Sequence, residues 1–180
     1  MRYSVTSWDT VLTLVEAKAH LKVDFNDDDT QITNCLKSAI DEAEALTDRA
    51  YATATYKLAL SGFPSDGVIE LRPAPLVSVT SVIYQDSVNA EQTLAATNYI
   101  VDTISVIPKL SLAADSTWPS TYVHPNAVVI TWVAGGSVPE RAKQLVRFLL
   151  TKNYDKREGS DANLERAIND CSESLRAMGV

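Results

Sequence analysis

The hydrophobic period of this chain changes twice, from helical to alternating and back to helical, and few folds accommodate that order. In "TLVEAKAHLKV", Leu14, Val15, Ala17 (or Lys18) and Leu21 fall near one face of a short helix. From about Asp29 to Arg49, Ile32, Cys35, Leu36, Ala39, Ile40, Ala43 and Leu46 recur at three and four, the spacing of an amphipathic helix. Together they predict a helical hairpin. Between Thr55 and Val133 the pattern alternates instead: Tyr56, Leu58 and Leu60 in "TYKLAL", then β-branched runs in "VIEL", "LVSVTSVIY", "NYIV" and "AVVITWV". Turn residues in "FPSDG", "RPAP", "QDSVNAEQ" and the long "DSTWPSTYVHPN" separate them, so five or six antiparallel strands are expected.

The third block is helical again. Ser137 with Glu140 fits a capping box, Pro139 suits a first turn, and Ala142, Leu145, Val146, Leu149 and Leu150 form a stripe. In a last helix, Leu164, Ile168, Cys171, Leu175 and Met178 step by four and three, a narrow seam suited to one partner helix. The expected fold class is α+β: a helical core from residues 1–52 and 137–180, with an antiparallel β region inserted at 53–136.

The stretch "HLKVDFNDDDTQ" resembles a calcium loop at Asp24, Asn26 and Asp28. It fails where that loop is most demanding, because Asp29 stands where the turn glycine belongs and Cys35 where the closing glutamate belongs. The residues fit a helix start better: Asp28 with Gln31 as a capping box, and Asp27 and Asp29 as negative charge at the positive end of the helix dipole. No metal and no cofactor are expected.

Other chemistry is weakly supported. His20 and His124 stand far apart, without a nucleophile motif or a carboxylate at a known spacing. "VAGGSVPER" passes from strand through glycines to helix but lacks a phosphate loop's lysine and spacing, so Gly135 and Gly136 read as a chain reversal. Lys152, Lys156 and Arg157 suit a helix C-terminus. Cys35 and Cys171 lie on apolar stripes and read as buried thiols. Trp118, in a charge-poor loop with Tyr122, is either folded inward or held for a partner.

Charge is uneven within the net −7: residues 1–50 carry ten acids and five bases, residues 51–138 six and three, and residues 139–180 seven and eight. Without a basic stripe, tight duplex binding is not expected. No run reaches the length of a membrane helix and the N-terminus lacks a signal peptide's pattern, so the expected compartment is the cytoplasm, with no membrane partner.

The block order carries a resemblance. "LVEAKAHLKVDFNDDDTQITNCLKSAIDEAEALTDRA", "YKLALSGFP", "IELRPAPLVSVTSVIYQD", "NAVVITWVAG" and "VPERAKQLVRFLLTKNYDKRE" together resemble the head-tail connector (adaptor) proteins of long-tailed bacteriophages and related gene-transfer particles. "FLLTKNYDKRE" departs from the family's usual tyrosine-rich third helix. The resemblance implies a non-enzymatic virion protein of the neck, assembled in the host cytoplasm as a homo-oligomeric ring, generally dodecameric. Its partners would be the portal on one side and a tail-side neck component, a stopper or tail terminator, on the other, with DNA passing through without sequence-specific binding. The resemblance further suggests Leu175, Arg176 and Met178 as the portal contact, while the charge-poor β region, with Trp118 and Tyr122 in its long loop, is the candidate surface toward a neighbouring subunit or the next tail component. A nucleic-acid-associated regulator and an uncharacterised enzyme are the alternatives, neither with a supporting motif.

Overall fold

A computed structural model describes residues 2–8, 10–155 and 161–177. The fold is α+β, and the chain divides into two compact units, residues 6–53 with 136–180 and residues 1–5 with 54–135.

The first unit is helical. It holds α1 (Leu14–Leu21), α2 (Asp29–Thr47), α3 (Glu140–Tyr154) and α4 (Ala162–Ala177). α2 and α3 bury the stripes their periodicity predicts, from Ile32 to Ala43 and from Ala142 to Leu150. Each removes enough apolar surface from water to hold a helix that its own backbone bonds would leave marginal. α1 carries a capping box not anticipated from sequence: the Thr13 hydroxyl accepts from the Glu16 amide at 3.2 Å, and Glu16 Oε2 accepts from the Thr13 amide at 2.8 Å. These bonds, the Thr13 amide first, hold the Glu16 carboxyl below its usual pKa.

Both expected capping boxes are absent. Asp28 is the N-cap of α2, but its side chain makes no capping bond, and Gln31 is exposed. Asp28 sits at φ −95° and ψ 4°, outside the extended backbone that aims a cap side chain at the helix amides, and its carboxylate accepts from Tyr154 Oη at 2.7 Å instead. At α3 the N-cap is Pro139 rather than Ser137, and Glu140 pairs with Lys143 at 3.2 Å. Proline at the boundary shifts the helix start two residues past the serine, out of capping reach.

The second unit is built from β-strands: β1 (Arg2–Ser7, whose last two residues lie beyond the unit boundary), β2 (Thr53–Leu60), β3 (Val68–Glu70), β4 (Leu76–Gln85), β5 (Glu91–Thr93), β6 (Tyr99–Asp102), β7 (Lys109–Leu112) and β8 (Val128–Ala134). They form a five-stranded sheet ordered β1-β2-β8-β4-β5 and a three-stranded sheet ordered β3-β7-β6. The described pairs β2–β8, β4–β8, β4–β5, β3–β7 and β6–β7 are antiparallel. Seven of these strands lie between Thr53 and Ala134, where alternation predicted five or six, and β1 lies in what was expected to be a helical block. The exposed three-residue strand β5, Glu91–Thr93, shows no burial period and is specified by its pairing partner alone. β8 alternates buried and half-buried along its whole length, and Trp132 on β8 stacks on its cross-strand partner Tyr56 with centroids 5.8 Å apart.

Two glycines end β8, both at positive φ, 106° for Gly135 and 83° for Gly136. The Gly136 amide donates to Tyr51 O at 3.0 Å, and a Cβ built on Gly136 would lie 3.1 Å from Thr53 Oγ1. The Gly136→Ala variant is expected to lose about 1–3 kcal/mol of stability, from the left-handed backbone and this crowding together. Gly67→Ala, with φ 76° but its nearest neighbour at 3.7 Å, should lose less. Urea unfolding of the two variants measures the difference; equal losses would mean the Thr53 contact does not matter.

Candidate interaction surfaces

The acidic stretch between α1 and α2 is clamped from within the helical unit. Lys18 Nζ reaches Asn26 Oδ1 at 2.7 Å and Asp29 Oδ1 at 2.6 Å, while Tyr154 takes Asp28. Beside it, His20 Nε2 lies 3.0 Å from Thr151 Oγ1. Asp24, Phe25 and Asp27 are left facing outward, with Phe25 49% exposed. Among the described residues no cluster of three or more His, Cys, Asp or Glu side chains could hold a metal ion.

The first half of α3 and the middle of α4 border a groove of about 470 Å³, lined by Glu140, Arg141, Arg147, Phe148, Asp170 and Cys171 among others. Cys171 is buried and donates to Arg141 O at 3.3 Å; Cys35 is half-buried, with Asn153 O at 3.7 Å. Lys152 pairs with Glu42 at 3.0 Å, and Lys156 and Arg157 lie outside the described residues.

The C-terminal seam does not lie against a single partner helix. Ile168, Cys171 and Leu175 are all buried in their own helical unit, Leu164 is half-buried, and α4 packs on both α2 and α3 rather than on one helix. Leu175, expected to reach a partner, is 0% exposed, because a seam facing two helices is covered further along its length than a seam facing one. Arg176 is exposed, but its Nε donates to Leu46 O at the end of α2. Met178 lies outside the described residues.

In the β unit Trp118 is turned inward. Its indole stacks on Phe63 with centroids 4.6 Å apart and planes 6° from parallel, and Phe63 meets Tyr84 edge-on. The Trp118 Nε1 proton is buried without an acceptor, so this ring serves packing at some polar cost. Tyr122 remains exposed beside Val123, which is 94% exposed, at a shallow apolar hollow of about 550 Å³ that also includes Thr121, His124 and Pro125. His124 Nδ1 accepts from the Asn126 amide at 3.1 Å, a turn contact.

Two hairpin tips escaped the sequence reading. Asp102 accepts from the Ile104 and Ser105 amides and from the Ser105 hydroxyl, which presents Ile104 at 95% exposure. Asp86 does the same for the turn holding Val88, accepting from the Val88 and Ala90 amides at 3.0 Å each. The Ser105 hydroxyl, foremost at Asp102, and the Ala90 amide, foremost at Asp86, hold both carboxyls below their ordinary pKa. An aspartate two residues before an apolar one in a turn is the signal that could have found both.

Residues 11–105 match the family model of the phage gp6-like head-tail connector proteins. That span runs from two residues before the α1 cap through α2 and on past β6, more than half of the chain. The chain belongs to this family. Its role is that of a structural head-tail connector, and the family is not one of enzymes.

The connector's fold is also found in solved particle structures. The neck of an empty GTA particle computed with C6 symmetry contains a chain at TM-score 0.81 and 21% identity, covering 98% of this connector and 95% of that chain. The virion of a native gene transfer agent particle matches at TM-score 0.80 and 22% identity, with 98% and 94% covered. The neck of the native particle computed with C12 symmetry matches at TM-score 0.78 and 22% identity over the same shares. Among curated proteins no match was found.

Since Leu175 is core to the connector's helical unit, Leu175→Ala is expected to cost about 2–5 kcal/mol, the usual range for emptying a buried leucine site. Leu164→Ala, at a half-buried site, should cost less than half as much. Guanidinium unfolding followed by circular dichroism decides it; a loss under about 1 kcal/mol at Leu175 would return that residue to the list of partner contacts.

Proposed function

We propose that this connector assembles into a closed ring of twelve copies, like the C12 symmetry applied to one similar neck, between the portal and a tail-side component, a stopper or tail terminator. DNA passes through the ring, which acts without catalysis and without reading sequence. The observation that carries the proposal is the pairing of two independent likenesses: a connector family model over residues 11–105, and the fold of a neck protein over 98% of the chain. The charge pattern supports it. Ten acids against five bases in residues 1–50 suit a wall past which phosphates slide, because a basic wall would release counterions and trap the duplex. Among the described residues no helix is long and apolar enough to cross a membrane.

The burial of Leu175 moves the proposed portal contact toward the end of the chain, to Arg176 and the residues after it, including Met178. Tyr122, with Val123 beside it, is the proposed contact for the tail-side component, and Trp118 supports their loop from behind.

Mixing the connector with its portal and imaging by negative stain should show a ring added to one face of the portal. Deleting residues 178–180 spares Leu175, so the shortened chain should keep its circular dichroism spectrum and unfolding midpoint while no longer co-sedimenting with portal. Undiminished co-sedimentation would place the portal contact elsewhere.

In gel-shift titrations at physiological salt the purified connector should not retard duplex DNA selectively, since its acid excess offers few phosphate contacts. Sequence-selective retardation at nanomolar protein would favour a regulator instead.

A further inference from the structure

A closed ring made head to tail requires each copy to present two different faces that fit each other. The helical unit offers such a pair. One is the knob at the α1–α2 loop, where Lys18, Asn26, Asp28 and Asp29 are bonded within the unit while Asp24, Phe25 and Asp27 point outward. An exposed phenyl on a clamped loop is an unusual expense for a surface, since a partly solvated aromatic gains most when a partner buries it. The other is the α3–α4 groove, with about 470 Å³ of room, Phe148 half-buried in its wall, and Arg141 and Arg147 on its rim.

Electrostatics distinguish the groove from a neutral crevice. Of its two acids, Glu140 is taken by Lys143 at 3.2 Å and Asp170 remains, whereas neither arginine forms an ion pair among the described residues. Arg147 also feels the Glu16 carboxylate as a weak attraction at longer range. The knob lies beside Thr151 and Tyr154, while the groove is centred near Gln144, some seven to ten residues or roughly 10–15 Å along the same helix. Knob and groove are therefore displaced from one another on one copy, as a repeating contact demands.

We propose that the α1–α2 loop of one copy docks into the α3–α4 groove of the next, with Phe25 inserted against Phe148 and with Asp24 and Asp27 facing Arg141 and Arg147. The inference rests on the ring reading above and names the contact that would close the ring. Phe25 supplies the apolar anchor, and the charges select the register and exclude the reversed pairing.

Charge exchange tests it. Self-association is followed by analytical ultracentrifugation of the whole chain and by counting rings on portal in negative stain. Phe25→Ser, at an exposed position, should weaken association at least tenfold with the unfolding midpoint unchanged, as for an interface anchor. Asp24→Arg/Asp27→Arg should abolish rings, and so should Arg141→Glu/Arg147→Glu. Mixing these two variants should restore them, because each positive knob then meets a negative groove and each negative knob a positive groove. One chain carrying all four changes should also assemble. Rings formed normally by either double variant alone, or no recovery in the mixture and the fourfold variant, would overturn this contact and leave the ring reading standing. A wild-type chain that never associates, alone or on portal, would overturn both.

Discussion

The carboxylate of Glu44 holds the point where the chain leaves its second helix. Glu44 Oε1 accepts from the amides of Tyr51 and Ala52 at 2.8 and 2.9 Å, groups that have left the helix and have not yet joined a strand. Buried backbone donors without partners would cost on the order of a few kcal/mol, so one side chain satisfying two of them secures the turn. Tyr51 then completes the junction: its hydroxyl donates to Thr47 Oγ1 at 3.0 Å, and Thr47 in turn donates to Ala43 O at 2.7 Å. Burial pushes the Tyr51 phenol above its usual pKa, so it stays a neutral donor. The returning strand reaches the same place, with the Gly136 amide donating to Tyr51 O. Outgoing and returning passages are thereby fastened at one residue, which lets a β insertion of some eighty residues interrupt a helical unit without unravelling it.

The same economy governs the acidic loop. Four aspartates in six residues would repel one another and fray a helix start unless their charge were answered. Lys18 answers it from the preceding helix and Tyr154 from the third, so the loop becomes the meeting place of three helices rather than a capped end of one. Fixing it there leaves Phe25 on a rigid base, and a rigid exposed aromatic pays little ordering entropy when a partner covers it.

The β unit handles its surface differently. With only six acids and three bases between residues 51 and 138, it has little charge with which to keep its tips soluble. Apolar side chains at 94–95% exposure, Val123 and Ile104, sit on turns tied by backbone and aspartate hydrogen bonds. Such tips fit a protein that joins others. The helical unit, by contrast, turns its apolar seams inward as far as Leu175.

Sequence alone determined the order of the helical, strand and helical blocks, the buried stripes of α2 and α3, the alternation of β8 and the reversal at Gly135–Gly136, but not the strand β1 that precedes the first helix. Each depends on periodicity or backbone freedom within a short window, and these local preferences agree with the final fold. The order of blocks also sufficed for the family. Tertiary structure decided the partners of the polar groups. Asp28 and Ser137 had the right neighbours for capping, yet Tyr154, 126 residues away, took one and a prolyl boundary displaced the other. It decided likewise that Leu175 is core and Trp118 is stacked on Phe63, since burial at a chain end or in a loop depends on which distant surface arrives there. The groove between α3 and α4 and the outward turn of Phe25 belong to that second class, because a surface is defined by everything that packs behind it.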